Sequence, residues 1–215
     1  MDEHNRSRAS VAARERAWPL RAADETRRLD VAVYSTIAAT PTPSLDRALS
    51  RLSHAANYSR LSIASAAVLS LTAGPRGRYA ATVGLASIAV TSAVLNLGVK
   101  QIVRRRRPDR VKNEVPLLRQ VPMPSSASFP SGHSAAAFAF ATGVGQVLPA
   151  AGFPLRALAA LVGYSRVHTG VHYPGDVLAG ALLGGALAQV TARALERSHV
   201  LERAGVGRFN IAHIR

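Results

Sequence analysis

Three short runs in this chain carry residue types suited to work on a phosphate. In order they are Lys100 to Pro108, Pro130-Ser131-Gly132-His133, and Ser165-Arg166 followed by His172 and Asp176. Together they supply cations for phosphate oxygens, one histidine for each end of a displacement, and a carboxylate four residues after the second histidine. That is an inventory for phosphoryl transfer, where positioning and charge stabilisation are the main demands.

Lys100 and Arg107 fall near one face if a helix continues between them, with Arg104 also in the run and Pro108 limiting it. Lysine offers a compact charge and arginine a planar fork for two phosphate oxygens. The same run suits a collar for anionic lipid headgroups. Ser131 and Gly132 precede an apolar stretch, so a hydroxyl and unpaired N–H groups at a helix start could hold an anion, with His133 as proton donor or acceptor. Simple capping by Ser131 fits the tetrapeptide equally well. In the third run Arg166 can neutralise phosphate, and a carboxylate at Asp176 bonded to one nitrogen of His172 leaves the other free to attack. His168, His172 and Asp176 also share a metal-like spacing, but Gly170 and Pro174 argue against one helix across them. His168 is expected in a loop or behind the site, and no metal is expected.

The elements that must position these residues are apolar blocks. Charge is nearly absent from 61–75, 79–99, 133–155 and 177–192, while most of the net charge of +15 lies at the N-terminus, in 100–119 and in the tail. Apolar blocks with basic borders predict membrane spans. The expected spans are Leu61–Ala73, Tyr79–Val99, His133–Leu148, Phe153–Val167 and Val177–Ala194. Leu29–Thr40 would cover only about 18 Å as a helix, against roughly 30 Å of hydrocarbon, so with Pro41 and Pro43 behind it an interfacial or partly inserted helix is expected. Leu45, Leu49 and Leu52 among Asp46, Arg47 and Arg51 predict an amphipathic surface helix. Proline density over 104–132 predicts an irregular loop, and Gly180 and Gly184 permit a close helix approach.

The fold class expected is all-α: a polytopic transmembrane helical bundle of five to six helices with the active site at one membrane face. Residues 1–28 form a basic solvated or membrane-surface segment, 29–197 the membrane domain and 198–215 a basic tail. The first 28 residues lack the apolar core of a cleaved signal, and the absence of cysteine removes disulfides and thiolate chemistry. Arginines at 104–119 and those of the tail and the 74–78 turn favour opposite orientations, which leaves the sidedness open.

The strings K-x6-R-P, P-S-G-H and S-R-x5-H-x3-D resemble, in order, the three signature motifs of the type 2 phosphatidic acid phosphatase superfamily, the lipid phosphate phosphatases. The resemblance implies a metal-independent phosphatase with no cofactor and a phosphohistidine intermediate. His172 would attack phosphorus, Asp176 orient it and His133 protonate the leaving oxygen, while Lys100, Arg107, Ser131, Gly132 and Arg166 hold the phosphoryl group. It also implies residence in the cell membrane among membrane lipids, usually with six spans. The substrate would be a lipid phosphate: phosphatidic acid, phosphatidylglycerol phosphate, a polyprenyl diphosphate or a polyprenyl-linked sugar phosphate. Two other classes compete. A nucleic-acid-binding protein would use the basic run and a pI near 11.6, but aromatic residues do not interleave the cations, so no nucleic acid is expected. A non-catalytic membrane scaffold would have no use for His133, His172 and Asp176.

Overall fold

Alanine, leucine and arginine favour helix along most of the chain, and proline or glycine sets the breaks. The computed structural model describes residues 3–203, and among them lie seven α-helices and no strand. They are α1 (Glu3–Ala39), α2 (Pro43–Ala55), α3 (Arg60–Thr72), α4 (Gly74–Ile102, with a π-helical turn at Leu95–Val99), α5 (Gly132–Val147), α6 (Pro149–His168) and α7 (Pro174–Arg203). Proline stands in the first turn of α2, α4 and α6, where its missing N–H has no helical partner to lose. Most of the basic tail expected over 198–215 lies beyond residue 203, outside the described residues.

The short α5 is the central element, packed on α7, α4 and α6. Ala135, Ala139, Ala141 and Val144 on it are fully buried. The close approach allowed by Gly180 and Gly184 is used here: a Cβ on either would run into the carbonyl oxygen of Ser131 or Ala135. On the opposite side Gly84 of α4 meets the Phe140 ring. Small residues thus set the spacing of three helices.

All five expected spans are helices, as α3 to α7, yet only α4 and α7 are long and apolar enough to cross a membrane. In their most apolar windows 28% and 22% of residues are buried, so Val90, Val94 and Leu97 of α4 and Leu178, Leu182 and Val190 of α7 face outward. Soluble helices bury such faces, and lipid-facing ones do not. These outward apolar faces point to a membrane protein. At 13 and 16 residues α3 and α5 cover roughly 20 and 24 Å, short of a hydrocarbon core.

Two helix expectations are corrected. Leu29–Thr40 is no separate twelve-residue helix but the end of the 37-residue α1, which runs across position 28 unbroken. Ala, Arg and Glu dominate the upstream segment, and all three are strong helix formers. In α2 the inward face is Asp46, Leu49 and Ser53, whereas Leu45 points out. Two buried polar residues rotate the helix away from the leucine stripe because each meets a charged partner described below.

Residues 103–131 form the expected irregular connection, with one 3₁₀ turn at Leu117–Arg119. Arg119 is 1% exposed and staples this loop to the bundle. Its guanidinium donates to Asp46 and to the carbonyls of Ile37, Ala38 and Thr40, closing the end of α1.

Candidate active site

The ends of α4, α5, α6 and α7 contribute the motif residues to one centre. Lys100 lies in the last turn of α4, its Nζ 3.2 Å from Asn96 Oδ1. It lies over Gly132 at the start of α5, where a Cβ would sit 3.3 Å from that Nζ. Ser131 caps α5, its Oγ 3.4 Å from Ser134 N, and its own N–H donates to the Asp176 carbonyl at 2.9 Å. Only the hydroxyl proton of Ser131 is left for a ligand.

Arg107 lies on the irregular connection expected over 104–132 rather than on a continued helix. Helix α4 stops at Ile102, Val103 is extended, and Lys100 and Arg107 do not share a helix face. The extended loop instead carries Arg107 to His172, where Nη1 lies 3.2 Å from Nε2 and donates to the Val171 carbonyl at 2.8 Å. A guanidinium has donors only, so this contact leaves the Nε2 lone pair free of a proton and puts the ring proton on Nδ1.

Behind Nδ1 stands Asp176, in the first turn of α7. The Nδ1 to Oδ2 separation is 3.6 Å, longer than the direct bond expected from the sequence. Ser128 fills the gap: its Oγ lies 3.4 Å from Nδ1 and donates to Asp176 at 2.5 Å. Asp176 also accepts from Tyr173 N–H at 2.9 Å and from Arg105 at 2.8 Å. Arg105 in turn reaches Asp30 of α1 at 2.6 Å, and Asp30 accepts from Gly175 N–H at the start of α7. Burial is the main cause that pushes His172 down from its ordinary value to about 4; Asp176 opposes it, and the charges of Arg107 and Arg166 add to it. Burial likewise lowers Arg107.

Arg166 closes α6 in full burial. Its Nη1 donates to Ser53 Oγ of α2 at 2.5 Å, and its Nε is buried without a partner. Among the described residues no carboxylate pairs with it. His133, two residues after Ser131, lines one cavity with Lys100. Its Nε2 lies 2.9 Å from Asn57 Oδ1. Two cavities flank the cluster and share Asn96 and Lys100: one of about 390 Å³ with Gly132 and His133 in its wall, and one of about 590 Å³ walled by Arg104 to Arg107 and Ser126.

Thus Lys100, Gly132 and His133 form one half of the cluster, and Arg107, His172 and Asp176 the other. His168 does not join them: its Nε2 lies 3.1 Å from Asp46 Oδ1, which Arg119 and Thr42 also reach, each at 2.8 Å. Among the described residues no group of three His, Cys, Asp or Glu is arranged to hold a metal ion. Sequence reasoning missed Ser128, Arg105, Asp30, Ser53 and Asn57. Arg105 lay inside the basic run and Ser128 just before Pro130, whereas Asp30, Ser53 and Asn57 had no spacing signal.

Known proteins agree with this geometry. Decaprenylphosphoryl-5-phosphoribose phosphatase of Mycobacterium tuberculosis is 40% identical over 119 residues, covering 55% of this chain and 63% of that protein. The chain thus spans less than two thirds of that relative's length. The crystal structure of Aquifex aeolicus LpxE superposes with a TM-score of 0.64 at 26% identity, covering 77% of this chain and 95% of that one. The first transmembrane PAP2 type phosphatidylglycerolphosphate phosphatase from Bacillus subtilis superposes with a TM-score of 0.61 at 25% identity, over 80% of this chain and 87% of that one. Residues 78–199, from the second turn of α4 to near the end of α7, match the family model, and with the motif residues gathered at the helix ends within that span, the chain belongs to the PAP2 superfamily.

Proposed function

We propose that the protein is an integral-membrane lipid phosphatase working through a phosphohistidine. The observation that carries this is the meeting of a neutral, buried His172 with Arg166, whose buried guanidinium forms no ion pair among the described residues and leaves its Nε without a partner. A phosphoryl group supplies the missing negative charge.

In this reading Lys100, Arg107, Arg166, the Ser131 hydroxyl and the Gly132 N–H hold the phosphoryl oxygens. His172 Nε2 attacks phosphorus while Asp176, acting with Ser128, keeps the proton on Nδ1. The N–P bond forms as the bond to the lipid oxygen breaks, and His133 gives that oxygen a proton. Water then attacks the phosphohistidine, passes its proton to His133 and releases inorganic phosphate. No step needs a metal or cofactor.

The site gathers where α4 and α6 end and α5 and α7 begin, which supports a location at one membrane face. The reading takes α4 and α7 as full spans, with α3, α5 and α6 seated beside them in the cell membrane, within a domain of residues 29–197. The substrate is a lipid phosphate, and the mycobacterial relative's name favours a polyprenyl-linked sugar phosphate over phosphatidic acid, phosphatidylglycerol phosphate or a polyprenyl diphosphate. Phosphate release from this panel by detergent-purified protein tests it, beside His172→Ala and alkaline-quench trapping of the base-stable, acid-labile phosphohistidine. Unchanged release by His172→Ala sinks the mechanism.

A further inference from the structure

The segment after α2 reaches the site from outside the residues matched to the family. Ser53, in the last turn of α2, holds Arg166, and four residues later Asn57 meets His133. Asn57 opens a 3₁₀ turn, and the next two residues, Tyr58 and Ser59, both take left-handed φ values of 56° and 55°. Side chains other than glycine seldom adopt this conformation, and two in succession persist only where the surroundings hold them. The turn reverses the chain between α2 and α3, sending Tyr58 outward, 82% exposed, while Asn57 faces the bundle. The strain therefore buys one contact with a motif residue, the amide against the His133 ring.

We propose that Asn57 is a positioning residue for proton transfer: its side-chain oxygen accepts from His133 Nε2–H and fixes the ring so that the other nitrogen serves the leaving lipid oxygen. This rests on the lipid phosphatase reading. In the first half-reaction the proton leaves Nδ1 for the lipid oxygen as its bond to phosphorus breaks. In the second, the attacking water returns a proton to Nδ1. The amide oxygen holds the Nε2 proton throughout, so the ring neither flips nor changes tautomer between halves.

Leaving groups of different basicity separate this role from a structural one. An alkoxide such as a lipid alcohol needs the proton, whereas a nitrophenolate departs without it. Asn57→Ala is expected to lower kcat/KM about 30-fold or more on a lipid phosphate and less than threefold on p-nitrophenyl phosphate. Asn57→Asp retains the acceptor and is expected to recover lipid phosphate hydrolysis to within about fivefold of wild type. Its carboxylate also holds the imidazolium proton more tightly, so the basic limb of the pH profile moves to higher pH. Equal losses of Asn57→Ala on both substrates, or no recovery and no limb shift in Asn57→Asp, overturn the assignment. Aryl phosphate turnover by the variants reports that they are folded. Absence of phosphate release from wild type, or full activity in His172→Ala, instead overturns the phosphatase reading and this role with it.

Discussion

Two buried carboxylates in this molecule gather nearly the same company. Asp176 has a histidine, an arginine and a serine hydroxyl; Asp46 has a histidine, an arginine and a threonine hydroxyl. The difference lies beyond the histidine. His172 turns its second nitrogen to Arg107 in the wall of a cationic cavity, whereas the second nitrogen of His168 is buried without a partner. Arg119 is likewise spent on three backbone carbonyls. An Asp–His–Arg group is therefore not a site in itself. The guanidinium on the far side of the imidazole, in a cavity wall, distinguishes the assembly proposed to react from the stapling one.

The comparison breaks first at the histidines. His172→Ala should lower phosphate release about 10⁴-fold or more, as loss of a nucleophile does, while His168→Ala should keep kcat within about fivefold; comparable losses would erase the distinction. Asp176→Asn comes next, with a loss of up to about 10⁴-fold in kcat at unchanged helical content by circular dichroism. Asp46→Ala should do the reverse, costing about 3–5 kcal/mol in unfolding because Arg119 is left buried and unpaired, with kcat per folded molecule close to wild type. Subtler is the acid limb of kcat/KM. In the proposed mechanism the nucleophile is the neutral imidazole, and burial lowers His172 to about 4, so activity should persist below the ordinary histidine value and fall as pH drops through about 4, after correction for substrate ionisation. A limb near 6.5 would mean that His172 is not the titrating group. Smallest is the effect of excess EDTA, which should leave the rate unchanged.

Much of the cluster was legible because its members lie in short runs: His133 beside Ser131, and His172 four residues before Asp176. The residues that hold them were not, since Asp30 is 145 residues from Gly175 and Asn57 is 76 from His133. A single polar residue on a helix or turn has no period, and its partner is chosen by tertiary packing. Asp30 lies within an apolar stretch of sequence and Asp46 among the charges of an amphipathic one, yet each ends beside a guanidinium. The helical blocks were legible from charge depletion, whereas the length of α1 was hidden because its first part is basic, and charge was read there before helix propensity. The loop after Ile102 was legible from its prolines, but no spacing signal showed that it carries Arg107 to His172.

Arg105 stands between Asp30 and Asp176, so on the Nδ1 side of His172 two carboxylates outnumber one guanidinium. On the Nε2 side Arg107, Arg166 and Lys100 form no ion pair among the described residues. The imidazole thus lies along a gradient of potential, negative behind and positive ahead. A dianion is drawn to the front of the ring and repelled from its back. The same gradient acts on the liberated phosphate, which carries the charge of the group just cleaved, so departure of that product, rather than bond breaking, is the step on which such a field bears hardest, and inorganic phosphate should inhibit in competition with the lipid.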